Sequence, residues 1–136
     1  MRRLFVDTGA LVAREVAADQ HHAAAWRAWE EVADKQLVLV SSGHVFDESA
    51  TLLARRTSYA FAAQWGEDAL ESGIEWLRAG PDDLGKALRL MRKFSDQGVS
   101  FTDCLSVVFM RQAGLRQVFG FDHRFEAMGL RLWPGG

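Results

Sequence analysis

The chain has 136 residues, 49% of them hydrophobic and 25% charged, with a formal net charge of −2 and a sequence pI near 6.1. That length fits one domain, 1–136, with no second core; no stretch approaches the roughly 18 apolar residues of a membrane span, and the charge balance excludes bulk attraction to a polyanion. The single cysteine, Cys104, excludes an internal disulfide and, with no secretory apolar region after Met1-Arg2-Arg3, points to a cytoplasmic protein.

Short apolar runs alternate with longer helical patterns, the signature of βαβ units around a mainly parallel sheet. In chain order, a strand is predicted over 3–7, helices over 9–15 and 21–33, a strand over 37–41, and helices over 43–56 and 59–71. A third strand follows over 74–77, helices over 81–94 and 102–113, a fourth strand over 117–121, a short helical turn after Asp122, and a fifth strand over 130–133. Pro81-Asp82-Asp83 has proline and acids at a helix start, Ser100-Phe101-Thr102-Asp103 has the form of a capping box, and Gly114 sits where a helix C-terminus is capped. Residues 134–136 read as a frayed end. Trp26 and Trp29, three apart, and Phe61 and Trp65, four apart, each share a helix face, which suits either core packing or a self-association or partner surface.

Four acids are spread through this pattern, three of them where an apolar run stops. Asp7 follows Leu4-Phe5-Val6, Asp103 follows Phe101-Thr102, and Asp122 follows Val118 to Phe121, while Glu48 comes after Val45-Phe46 with Asp47 between. The carboxyl ends of strands and the first turns of the following helices converge on one rim in an α/β sheet. Carboxylates gathered there repel unless a cation joins them, and hard ions such as Mg²⁺ and Mn²⁺ prefer oxygen ligands. Asp7 and Asp122 each also stand where an aspartate caps a helix. Asp103 resists that reading, because it opens the most apolar helix of the chain. Asp47 rivals Glu48, and helical periodicity does not choose between them.

Other polar residues carry less. Arg55, Arg56, Arg89, Arg92, Lys93, Arg111 and Arg116 form scattered basic edges, equally at home on solvated helix faces. His21 and His22 are expected at an exposed helix start, and His44 and His123 flank the acids without metal-ligand spacing. Cys104, in an apolar helix, reads as an inert packed thiol.

Phe5-Val6-Asp7-Thr8-Gly9-Ala10-Leu11, Ser42 to Glu48, Ser100 to Ser106, and Gly120 to Phe125 with Gly129, in that order, resemble the PIN domain, and within it the VapC-type toxins of toxin-antitoxin pairs. The resemblance covers nearly the whole chain. It implies a three-layer α/β/α fold with a central parallel five-stranded sheet in the order 3-2-1-4-5. It implies a catalytic and metal-binding site of Asp7, Glu48, Asp103 and Asp122, with Glu48 chosen over Asp47. Asp7 and Asp103 would be the principal ligands, and Thr8 and Thr102 would hold carboxylates by hydrogen bonds. The implied activity is Mg²⁺- or Mn²⁺-dependent endonucleolytic cleavage of tRNA or rRNA by metal-activated water, leaving 5′-phosphate and 3′-hydroxyl ends. The implied partners are the RNA substrate, a cognate antitoxin filling the acidic groove, and a second copy of the chain in a homodimer, with no membrane.

Two positions depart from the family's pattern. Gly9 offers no hydroxyl to orient Asp7, and Arg124 stands where relatives often carry a further acid, so it would weaken a second metal or contact a phosphate. The rival from another class is a non-catalytic PIN-like module that binds RNA or protein. An aspartyl-phosphate mechanism at Asp7 is weaker, because Asp7-Thr8-Gly9 lacks the second aspartate that such phosphatases use.

Overall fold

The computed structural model describes residues 2–135. Met1 and Gly136 lie outside them, so the expectation of a frayed end is addressed only up to Gly135. The order of elements is β1 (Arg3–Val6), α1 (Thr8–Glu15), α2 (His22–Asp34), β2 (Val38–Ser42), α3 (Gly43–Arg56), α4 (Tyr59–Leu70), β3 (Glu75–Leu77), α5 (Pro81–Lys93), a 3₁₀ turn over Ser95–Gln97, α6 (Phe101–Ala113), β4 (Gln117–Phe119), α7 (Arg124–Ala127) and β5 (Arg131–Trp133).

The five strands form one sheet in the order β3-β2-β1-β4-β5, and every pairing is parallel. β1 is the central strand. Phe5 is in register with Val40 on one side and Val118 on the other, and Leu4, Phe5, Val6, Val40, Val118 and Phe119 are all fully buried. A strand covered on both faces has no solvent side, which is why these segments are continuous apolar runs without alternation.

Most expected boundaries hold to within one or two residues. The strands expected to include Asp7 and Phe121 stop earlier, at Val6 and Phe119, because the chain turns out of the sheet there. Asp7 is already the N-cap of α1, and Gly120 and Phe121 lead away from the rim. The 3₁₀ turn after α5 was not anticipated.

Serines fix two helix starts. The Ser42 hydroxyl accepts from the Val45 N–H at 3.2 Å, and the Ser100 hydroxyl accepts from the Asp103 N–H at 3.0 Å. Each satisfies a donor that a helix leaves unpaired in its first turn.

The aromatic pairs divide between the two roles considered for them. Trp29 and Trp65 are partly buried against the core, whereas Trp26 is 47% and Phe61 41% exposed. Trp29 also donates its indole N–H to the Ala10 carbonyl at 3.0 Å and carries the Arg14 guanidinium over its ring. Among the described residues, no helix is long and apolar enough to cross a membrane.

Candidate active site

The order β2-β1-β4 places a topological switch beside β1, and ligands of open α/β sheets bind outside the carboxyl ends of the strands at such a point. Asp7 follows the last residue of β1, and its N–H donates to the Phe119 carbonyl at the end of β4, at 2.9 Å. Next to it, the Ser41 hydroxyl donates to the Val6 carbonyl at 2.7 Å, closing the β1–β2 edge of the rim. These two bonds fix the backbone that carries Asp7.

The other acids arrive on separate elements. Glu48 is half-buried on α3, which follows β2, whereas its rival Asp47 is exposed. Asp103 lies in the first turn of α6 and is buried. Asp122 is half-buried in the turn between β4 and α7. Asp7 is only 6% exposed, and its pKa is pushed from the ordinary 3.8 up to about 7. Burial contributes most, followed by the negative charge of Asp103, then those of Glu48 and Asp122, against the N–H of Thr8. The rim thus brings the other three acids within electrostatic reach of Asp7.

Asp103 is also raised, first by burial and then by Asp122, with Ser100 and Arg124 acting in the opposite direction. Its Oδ2 accepts the Ser100 N–H at 3.1 Å, completing a reciprocal capping box. Ser100 therefore supplies the bonds to Asp103 that were expected of Thr102, whose carbonyl instead accepts from the Ser106 hydroxyl at 2.8 Å. Thr8 is buried beside Asp7, but its hydroxyl has no hydrogen-bond partner, as is also true of the Ser49 hydroxyl next to Glu48. Buried polar atoms are nearly always paired, and exceptions concentrate where a ligand or ion belongs.

Arg124 engages the acid it stands closest to. Its N–H donates to Asp122 Oδ1 at 2.9 Å, and its guanidinium lies 3.5 Å from Asp122 Oδ2. Gly9 leaves ordinary room, since an added Cβ would lie 3.9 Å from Asp7 Oδ2. Gly120 does not. A Cβ there would stand 3.1 Å from Asp7 Cβ and 3.4 Å from its Oδ2. That close approach is a site requirement that the sequence reading missed; the glycine directly after β4 was its only trace.

The histidines are more engaged than expected. His21 stacks on Phe121 with ring centroids 4.5 Å apart, and His22 Nδ1 lies 2.7 Å from the Ala13 carbonyl, so neither is free at an open helix start. His123 is exposed and pairs with Glu126. Cys104 is fully buried and its thiol pKa is raised by burial, in keeping with an inert role.

A donor set made only of carboxylate oxygens suits Mg²⁺ or Mn²⁺, and a buried aspartate whose charged neighbours all push it toward protonation lacks a counter-charge. Among the described residues, no three His, Cys, Asp or Glu side chains are gathered closely enough to hold an ion as they are arranged. Mutual repulsion keeps carboxylates apart until a cation offsets it. The residues therefore fit a divalent ion in their chemistry and burial, and closing on it requires side-chain movement.

The PIN domain family model matches residues 4–130. The chain belongs to the PIN domain family. It is 31% identical over 126 residues to the 23S rRNA-specific endonuclease VapC20 of Mycobacterium tuberculosis, covering 93% of this chain and 94% of that protein. Ribonuclease VapC26 of the same organism is 28% identical over 126 residues, covering 92% of this chain and 91% of that protein. The crystal structure of VapC20, a Sarcin-Ricin loop cleaving toxin, aligns with a TM-score of 0.84 and 30% identity over 93% of this chain and 95% of that one. VapBC2 of Rickettsia felis, bound to a DNA fragment from its promoter, shares the fold at a TM-score of 0.68 and 15% identity, covering 96% of each chain. The resemblance to VapC-type toxins and the sheet order 3-2-1-4-5 are both borne out.

Proposed function

We propose that this chain is a divalent-metal-dependent endoribonuclease, the toxin of a VapBC-like pair, acting as a homodimer on RNA and restrained by a cognate antitoxin. One observation carries the reading. Asp7 is buried at the switch point of a parallel sheet with three further acids within electrostatic reach, an arrangement that is costly without a cation. Similarity to VapC20 over most of the chain favours ribosomal RNA over tRNA as the substrate.

In this reading Asp7 and Asp103 are the principal ligands of Mg²⁺ or Mn²⁺, Glu48 supports them from α3, and Asp122 completes the set. A divalent ion bound there neutralises phosphate charge and makes water a stronger nucleophile near neutral pH. The chain supplies the rest. Ser100 aims the Asp103 carboxylate, the β1–β4 hydrogen bond holds Asp7 in place, and Arg124 offers a guanidinium to the phosphate from beside Asp122. In-line hydrolysis leaves a 5′-phosphate and a 3′-hydroxyl.

The test is incubation of total cellular RNA with the purified protein and Mg²⁺ or Mn²⁺, with EDTA and the Asp103→Asn variant as controls. A discrete metal-dependent cut that Asp103→Asn cannot make is expected. RNA left intact by wild-type protein under every metal condition would overturn the proposal and favour a non-catalytic binding module.

A further inference from the structure

A second concentration of charge lies away from the acidic rim. The seam between α5 and α6 forms a groove of about 430 Å³ whose floor includes Leu90 and Val108 and whose walls carry Lys86, Arg89, Lys93 and Arg111. All four cations are exposed, and none forms an ion pair among the described residues. Asp83, at the start of α5, accepts the Gly80 N–H and the Gln112 amide at 2.8 Å each and feels the Lys86 charge without forming an ion pair with it. In a chain with 16 basic and 18 acidic residues, four unpaired cations along one groove are a local reversal of sign. Arg56, by contrast, is held by Asp19 at 2.7 Å.

The groove also points toward the site. Lys86, Arg89 and Lys93 are spaced three and four apart on one face of α5, so they line up along the helix over ~10 Å. The Asp83–Gln112 bond ties the start of α5 to the end of α6, making the two helices antiparallel, so Lys93 lies toward the end of α6 that carries Asp103. Arg111 lies ~12 Å along α6 from Asp103. Beyond Lys93 the chain passes through the 3₁₀ turn to Gly98, where an added Cβ would meet Arg124 Nε at 3.9 Å. The cations of the seam and Arg124 beside Asp122 thus lie on either side of this turn, which itself carries the exposed Asp96.

We infer that the α5–α6 groove binds the phosphate backbone of the RNA substrate, carrying the strand from the cut site along Lys93, Arg89, Lys86 and Arg111. The inference rests on the nuclease reading for the identity of the strand. Cations on flexible stems spaced along ~10 Å of helix track a phosphate backbone without reading its bases. The role is positioning: these residues bind substrate away from the bond that breaks.

The experiment compares Lys86→Gln/Arg89→Gln/Lys93→Gln/Arg111→Gln with wild type, and repeats it with the three α5 changes alone in case loss of Arg111 perturbs folding. Binding of a labelled RNA hairpin is measured in EDTA over a range of salt, with polyglutamate as competitor, and cleavage is measured on long structured RNA and on a short oligonucleotide spanning the cut. Expected are a tenfold or greater loss of hairpin affinity and a salt dependence shallower by about 0.7–0.9 per lost phosphate contact. The KM on long RNA should rise while kcat and short-oligonucleotide cleavage hold. Unchanged affinity and salt slope would overturn the inference, as would polyglutamate displacing the hairpin at equal charge, which would mark an acidic protein segment as the occupant. Wild-type protein that cuts nothing, but whose hairpin binding depends on the four cations, would remove the nuclease reading and leave the groove as a nucleic-acid surface.

Discussion

Gly120 shows how one missing side chain makes room for another at the rim. Asp7 can lie at the β1–β4 switch because the residue beyond β4 has no Cβ, and the space one would occupy is 3.1 Å from Asp7 Cβ. The backbone of Gly120 does not have positive φ, so Gly120→Ala is permitted by its own dihedral angles and meets only this contact. Asp7 Cβ has little freedom to retreat, since its backbone N–H is bound to Phe119. Overpacking of this kind costs about 1–3 kcal/mol, and small misplacements of a reacting group cost more in rate than in stability. Gly120→Ala is therefore expected to lower kcat by about tenfold or more while the thermal midpoint falls by only a few degrees. Full activity in this variant would mean that Asp7 tolerates displacement and is not a principal ligand.

At the scale of elements, the start of α6 joins helix capping to the placement of a proposed site residue. Ser100 caps the helix and, through the same capping box, holds the carboxylate of Asp103. Ser100→Ala removes the hydroxyl and leaves the backbone N–H, so it should cost about 1 kcal/mol of stability. It also removes one of the two hydrogen bonds that favour the charged form of Asp103, raising that pKa further and weakening Mn²⁺ binding on the order of tenfold. Calorimetric titration with Mn²⁺ checks this, with Ser100→Thr restoring affinity; equal affinity in Ser100→Ala would confine the serine to helix capping. The capping box was legible in the sequence because it is a local four-residue pattern, and the five strands were legible because a central parallel strand has to be apolar throughout. What could not be read depended on contacts distant in sequence. Periodicity left Asp47 and Glu48 equal, and only the packing of α3 exposes one while turning the other toward Asp7. The 112 residues between Asp7 and Gly120 likewise conceal their contact until β1 pairs with β4. Lys86 did not stand out, because an isolated lysine on a helix acquires meaning only when α6 brings Arg111 across from it.

For the whole molecule, the acidic rim makes stability depend on pH, and under the proposed metal-binding reading on metal as well. Asp7 holds its proton more tightly in the folded chain, with a pKa of about 7, than in the unfolded chain, near 3.8. The folded state therefore binds more protons between those values, and stability falls as pH rises through that window. The full difference corresponds to about 4 kcal/mol as an upper limit, at ~1.4 kcal/mol per pH unit, and Asp103 shifts in the same direction. Asp19 and Asp83 have lowered pKa values, so their contributions are lost only as pH falls through the range below the ordinary carboxylate value, outside this window. In EDTA, the protein should accordingly melt at a lower temperature at pH 8 than at pH 5.5. Asp7→Asn, which keeps the shape and removes the charge, should flatten most of that difference and melt several degrees above wild type at pH 8. Under the proposed metal-binding reading, Mn²⁺ is expected to reverse the order, because binding requires ionised carboxylates and adds its own free energy to the folded state. Wild type should gain more from Mn²⁺ at pH 8 than at pH 5.5, and Asp7→Asn should gain little at either. Thermal melts of both proteins at the two pH values, with EDTA and with Mn²⁺, decide the matter. If Asp7→Asn melts below wild type in EDTA at pH 8, the buried carboxylate is satisfied by the protein itself, and the argument that it requires a cation fails.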